Sequence, residues 1–375
     1  MARFTPPTEG TEVLIAFSPD GHVFYTVSGF VLVARAMPDG AILWSRDMGY
    51  RSYWPVLAVS PDGRLLASMD YYSLVLLDAA NGEPKRRHAS HSDLGGLTFT
   101  RDGRRLAELS HNAYTAAWDV AMGDLLADRQ VATASSVSPR LRPGFAEVSA
   151  VPPWPATNLS LWDIPTGAVR WTSALVPLPP DARTTDRSAW SNDGRYVAWE
   201  AFGKGESGGW LSWICRSDLA SAPTCAPMAV HGGWGDIGWR LAVSGDGRVA
   251  VGGERNSHPL VCERLGVEVS DGRGTARTVF DAPLRTVDQI EWSPDGALLA
   301  VSHRACIVGT DARTTLIAVD PGIAVATLAG AQMPRFTPDG AGLFATDGGA
   351  LRLYRVRPGS GRSRRVFLPV TWVGR

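Results

Sequence analysis

The sequence predicts an all-β fold assembled from eight four-stranded repeat units. Three observations predict it. The first is a turn signature that recurs along all 375 residues. Ser18-Pro19-Asp20-Gly21 returns as Ser60-Pro61-Asp62-Gly63, Thr100-Arg101-Asp102-Gly103, Ser191-Asn192-Asp193-Gly194, Ser244-Gly245-Asp246-Gly247, Ser293-Pro294-Asp295-Gly296 and Thr337-Pro338-Asp339-Gly340. A worn copy sits at Leu141-Arg142-Pro143-Gly144. The second is the step between copies, 40 to 53 residues, which marks stacked or radially arranged repeats. The residues before the first mark and after the last make up one further period, so eight units use the whole chain. Discounting the worn copy leaves seven units as the alternative. The third is strand grammar: short apolar and β-branched runs broken by Gly, Asp, Asn and Pro.

The elements follow in order within each unit. A first strand runs into the signature turn, as in residues 13–17, 56–59, 96–100 and 240–243. In the turn, Pro presets φ for the first central position, Asp suits the second, and Gly takes the left-handed position that follows. In unit three, residues 105–109 make the second strand. Residues 115–120 make the third, which ends at Ala121-Met122-Gly123-Asp124, and residues 125–130 make the fourth.

The third strands share a template. It reads Leu76-Leu77-Asp78-Ala79-Ala80-Asn81-Gly82, Ala117-Trp118-Asp119-Val120-Ala121-Met122-Gly123 and Leu161-Trp162-Asp163-Ile164-Pro165-Thr166-Gly167. On these residues the chain resembles the WD-repeat β-propeller family, in a divergent form with bacterial-type Ser-Pro-Asp-Gly turns. The resemblance implies one domain over residues 1–375, a closed propeller of four-stranded antiparallel blades around a central channel. The family's Gly-His dipeptide is mostly missing: His91 alone stands at about the right distance, and Asn112 replaces the usual Asp. An internal hydrogen-bonded tetrad is therefore at best partial.

Composition narrows the function classes. Lys plus Arg balance Asp plus Glu at 37 each. That excludes a large single-sign field for nucleic acid or an anionic membrane. Lys85 and Lys204 are the two lysines, an arginine preference that suggests a GC-rich bacterial source. Residues 1–10 are polar, with Pro6 and Pro7 and no apolar core of signal-peptide length, so a cytoplasmic location is expected. No apolar run approaches a membrane span. Cys215 and Cys225 could face each other across a hairpin, but a reducing cytoplasm is expected to keep them as thiols. No His or Cys spacing suggests a metal site, and no cofactor is expected.

No catalytic constellation stands out. The first strands are apolar or small, and Asp288 and Glu291 alone put carboxylates near one. A satisfied surface pair is the simpler reading of these two. No Ser/His/Asp arrangement or phosphate loop appears. On the family template, the connections between second and third strands, and between units, share one face. That face carries the insertions at residues 201–209, 252–259 and 173–187, and insertions confined to one face mark a binding face. Exposed aromatics are expected there: Tyr53, Trp54, Tyr72, Tyr114, Trp154, Trp210 and Trp234, interleaved with Arg51, Arg285 and Arg304. These residue types dominate interface hot spots. Trp44, Trp118, Trp162, Trp171, Trp199 and Trp292 alternate within strands and are expected to pack between blades. The expected function is a non-catalytic protein-interaction scaffold holding a partner protein on that face, as in a bacterial regulatory, signalling or defence assembly. The alternative is a small-molecule-binding or hydrolase/lyase propeller that uses the central channel.

Overall fold

The computed structural model describes residues 2–4, 12–49, 56–70, 73–89, 94–110, 114–130, 134–137, 147–150, 160–163, 166, 168–172, 183–204, 210–228, 240–254, 264–271, 275–305, 311–356 and 368–369. The regular elements of these residues are β-strands. They fall into eight antiparallel sheets whose strands follow in sequence order, except that Ala2–Phe4 pairs with Ala350–Arg355. The chain divides into two compact units. One holds Pro6–Ser173 and the other holds Met1–Thr5 with Ala174–Arg375.

In the Pro6–Ser173 unit, sheet one begins at Glu12–Phe17, sheet two at Leu57–Val59, sheet three at Leu94–Phe99 and sheet four at Ala134–Val137. In the other unit, sheet five begins at Arg183–Trp190 and sheet six at Arg240–Val243. Sheet seven comprises Arg285–Trp292, Leu298–Ala305, Arg313–Ala318 and Ile323–Ala329. Sheet eight comprises Ala331–Phe336, Gly342–Asp347 and Ala350–Arg355. Its outer edge takes Ala2–Phe4, with Arg3 opposite Arg352, and Leu368–Pro369 opposite Arg355 and Tyr354.

The turn signature explains itself chemically. In the first turn Ser18 N–H donates to Val23 O at 2.8 Å, and Gly21 N–H donates to Ser18 O at 2.9 Å. The Ser18 hydroxyl donates to Asp20 Oδ1 at 2.6 Å and accepts from Val23 N–H at 2.9 Å. The same set returns around Ser60, Thr100, Ser191, Ser293 and Thr337. Position one must therefore be Ser or Thr, because its hydroxyl replaces a ladder partner that the turn removes. Gly63, Gly103 and Gly296 have φ of 72°, 70° and 67°, as a left-handed position after a type I turn requires. Successive turns also touch. A Cβ on Gly63 would lie 3.4 Å from Pro19 Cδ, one on Gly103 3.7 Å from Pro61 Cδ, and one on Gly340 3.5 Å from Pro294 Cδ. The worn turn at residues 141–144 lies outside the described residues, between the paired strands Ala134–Val137 and Glu147–Ala150.

Burial separates inner from outer strands. The third strand Ser73–Asp78 is buried along its four central residues, whereas the fourth, Pro84–Ala89, alternates exposed and half-buried. Central strands meet a neighbouring sheet on both faces, so they read as continuous apolar runs. Fourth strands meet solvent on one edge. Each core cluster therefore joins two successive sheets. Tyr25 and Leu32 of sheet one pack with Leu66 and Leu77 of sheet two. Val267 and Leu265 of sheet six pack with Ile290, Leu299 and Ile317 of sheet seven. Ala67, Ala107, Ala198, Ala250, Ala300 and Ala345 recur on the second strands, all fully buried, where a small side chain permits close approach of sheets. Trp118, Trp199 and Trp292 are buried within these layers, as the sequence implies. Trp44 and Trp171 are half-buried. Trp44 Nε1–H crosses to Ala79 O at 3.0 Å, and Trp292 Nε1–H to Ala242 O at 3.1 Å.

One expectation is corrected. Cys215 and Cys225 form a disulfide rather than remaining thiols. They are direct cross-strand partners in sheet five, with Cα atoms 4.1 Å apart. Cross-strand pairing at that separation brings the two sulfurs together.

Candidate functional site

Of the residues expected to bind a partner, Arg51, Tyr53, Trp54, Tyr72, Trp154 and Trp234 lie outside the described residues. So do His91, Asn112, Cys262 and Cys306. Tyr114 and Trp210 open the third strands of sheets three and five, at the ends remote from the third-to-fourth turns. Arg285 and Arg304 are brought together at one end of sheet seven, where Thr286 pairs with Arg304 and Arg285 with Ala305.

Arg285 opens the first strand and is largely enclosed, its side chain 12% exposed. Its Nη1 donates to Asp311 Oδ2 at 2.9 Å and its Nη2 to Asp311 O at 2.6 Å. Its Nε donates to His303 Nδ1 at 2.5 Å. A guanidinium can only donate, so Nδ1 of His303 carries the lone pair and Nε2 carries the hydrogen. Nε2–H then donates to Thr315 Oγ1 at 2.9 Å, and Thr315 lies 3.3 Å from Thr327 Oγ1. The ring of His303 rests against Phe280 of sheet six, centroids 5.3 Å apart. Burial first, and then the charges of Arg285 and Arg313, pull the His303 imidazole down to about 4. Hydrogen bonds from Arg313 and Arg285 hold the Asp311 carboxyl down at about 2. The network thus fixes a neutral histidine beneath a permanently charged arginine.

Two more arginines share this end of the sheet. Arg313, on the third strand, pairs with Asp311 at 2.9 Å and is 45% exposed. Arg304, at the end of the second strand, meets Asp288 Oδ1 through Nε at 3.2 Å and is 53% exposed. Asp288 is the extra residue of a β-bulge between Val287 and Gln289. A bulge re-aims its residue and frees a backbone carbonyl. That carbonyl accepts from Arg240 Nε of sheet six at 2.6 Å. Burial pushes the Asp288 carboxyl up, opposed by Arg304 and Arg240.

The first strands continue this pattern toward sheet eight. Gln289 Nε2 donates to Pro334 O at 3.0 Å, and Arg335 Nη1 donates to Glu291 Oε2 at 3.0 Å. Two exposed apolar residues on these strands adopt left-handed backbone. Leu284, just before Arg285, has φ 52° and is 56% exposed. Met333, in the bulge of Ala331–Phe336, has φ 51° and is 42% exposed. Bulky residues rarely accept this conformation, and such positions gather at ligand-contacting sites.

Burial pushes the Glu291 carboxyl up as it does that of Asp288, and in each case a facing guanidinium opposes the rise. Among the described residues no group of three His, Cys, Asp or Glu could hold a metal ion. No described helix is long and apolar enough to cross a membrane. At the signature-turn end of sheet six lies a surface pocket of about 320 Å³, lined by Arg248, Asp271, Thr275, Arg277 and Asp320. Asp320 pairs with both arginines there and Asp246 pairs with Arg248, so two carboxylates face the two cations. Sequence reading found Arg285 and Arg304 but missed Arg240, Leu284, His303, Asp311 and Arg313. The available signal was local: Asp311-Ala312-Arg313 and His303-Arg304 flank one second-to-third connection.

No family model matches the chain, and no curated protein sequence matches it. Solved structures do match in fold. BamB from Moraxella catarrhalis superposes with a TM-score of 0.61 at 12% identity, covering 96% of this chain and 98% of that one. The β-propeller domain of Cps50 (Swd1) from Myceliophteria thermophila gives 0.56 at 12% identity, covering 95% and 98%. Hydrazine synthase from Kuenenia stuttgartiensis gives 0.55 at 13% identity, covering 94% and 97%. At these identities the likeness concerns architecture alone, and with seven four-stranded antiparallel sheets and one five-stranded sheet among the described residues, the chain has an all-β fold of the β-propeller type.

Proposed function

We propose that this protein is a non-catalytic scaffold that holds a protein partner at the end of its sheets where second and third strands connect, within a regulatory, signalling or defence assembly. The observation that carries the reading is the end of sheet seven. There the buried His303 and Thr315, the enclosed Arg285 and the half-exposed Asp311 form a network that supports an exposed rim of Arg304, Arg313 and Leu284. A rigid base beneath exposed arginine and apolar side chains is the anatomy of a binding hot spot, because little ordering entropy remains to be lost on contact. The insertions at residues 201–209 and 252–259 point to the same set of connections. The test is affinity capture from native lysate with chemical cross-linking and peptide mapping. Cross-links gathered around residues 284, 304 and 313 support the reading. Cross-links confined to the signature-turn end overturn it.

A further inference from the structure

Resting on the scaffold reading, we infer that the partner reaches this protein through an acidic, extended segment carrying an apolar residue, seated across the end of sheet seven. Three arginines converge there, Arg285, Arg304 and Arg313, against two carboxylates, Asp288 and Asp311. The cluster therefore keeps an excess of positive charge in a chain whose total charge is zero. An acidic surface of a partner complements it.

The register sets how a segment would lie. Arg313 is the cross-strand partner of His303, whereas Arg304 is the next residue along. Successive residues of a strand point to opposite faces, so Arg313 and Arg304 straddle the end of the sheet. Leu284 leads into the adjoining strand at the same end, exposed and in left-handed backbone. A segment crossing the strand ends in sheet order meets the apolar Leu284 first, then Arg304, then Arg313. Arg285 cannot turn to follow a ligand, since Asp311 and His303 occupy all three of its nitrogens. It contributes fixed charge from below.

The alternative polyanion is a nucleic acid. Asp288, Asp311 and Glu291 interleave with the arginines and would oppose a continuous phosphate backbone, whereas carboxylates on a peptide can be spaced to avoid them. The exposed Leu284 likewise offers an apolar contact that a phosphate chain does not use.

Fluorescence anisotropy with the full chain tests this. The probes are labelled peptides of about twelve residues: glutamate-rich with a central leucine, the same peptide with serine for leucine, and a lysine-rich control, plus oligo-dT of matched length. The expected result is saturable binding of the leucine-containing acidic peptide, weakened by salt, and about tenfold weaker in R304E/R313E. L284S should weaken that peptide and leave the serine version unchanged. R304E/R313E should gain affinity for the lysine-rich peptide, a gain that misfolding cannot produce. Tighter binding of oligo-dT, or equal binding of the acidic peptide by wild type and R304E/R313E, overturns the inference. Lysate capture by the two proteins separates this from the scaffold reading. A partner captured equally by both leaves the scaffold standing and removes the acidic segment, while no capture by wild type removes the scaffold.

Discussion

Lowering the pH from 7 to 5 should destabilise this protein through His303, by an amount the structure sets. The imidazole titrates at 6.5 when free and at about 4 when folded, because it is buried and faces Arg285 and Arg313 while Asp311 opposes them. A base whose folded value is depressed leaves the unfolded chain binding more protons at intermediate pH. Stability is therefore whole above about 6.5 and falls as pH drops toward 4. The loss is roughly 2 kcal/mol at pH 5 and roughly 3 kcal/mol near pH 4. His88 is also depressed, chiefly by burial, and acts in the same direction. The variant H303Q isolates the effect, since glutamine can donate to Thr315 but does not titrate. Urea unfolding at pH 7 and pH 5, followed by circular dichroism, measures both proteins. The stability gap between the two pH values should shrink by about 2 kcal/mol in H303Q. An unchanged gap refutes the assignment of His303 as a buried neutral ring, because His88 and the carboxylates are common to both proteins.

The remaining predictions address the turns, the disulfide and the aromatic face. Gly63→Ala should cost roughly 1 kcal/mol, since its φ of 72° is strained for alanine while the space against Pro19 is adequate. Gly82→Ala should cost more, because its Cβ would lie 2.6 Å from Trp44 Cε3; equal thermal melts for the two would count against the packing described. Thiol titration of the unfolded, unreduced protein should find Cys215 and Cys225 unreactive, and C215S/C225S should lose roughly 2–3 kcal/mol. Free thiols at both positions would refute the pairing. Replacing Trp154, Trp210 and Trp234 together with Ala should abolish partner capture and leave the melting midpoint within a few degrees; retained capture would move the contact elsewhere.

The repeats were legible because they are local chemistry. Ser, Asp and Gly at fixed offsets build one turn each, and nothing distant is needed to recognise Ser60-Pro61-Asp62-Gly63. Trp199 and Trp292 were legible as inter-sheet residues because alternation within a strand assigns them a face. The Arg285 network was not legible, because its parts come from three strands and their register decides the contacts. A bulge at Asp288 shifts that register by one residue, and no sequence pattern announces it. The spacing of Cys215 and Cys225 permits a disulfide, but spacing carries no information about the redox environment that decides it. Arg285 and Arg304 look alike in the sequence, yet Arg285 is enclosed and Arg304 is exposed. Arginine content alone does not distinguish a rim residue from one that braces it.

The pairing of Ala2–Phe4 with Leu351–Leu353 bears on how the chain is made. This strand leaves the ribosome well before the strand it pairs with. At about 5–20 residues per second, that strand waits roughly 20 to 70 seconds for its place in sheet eight. Meanwhile the whole of the Pro6–Ser173 unit emerges and can fold. A nascent chain stalled shortly before residue 350 should therefore carry an ordered middle and an idle N-terminal strand, its backbone groups open to any other sheet edge nearby. Until its partner emerges, that strand presents the kind of unpaired edge that invites pairing between chains.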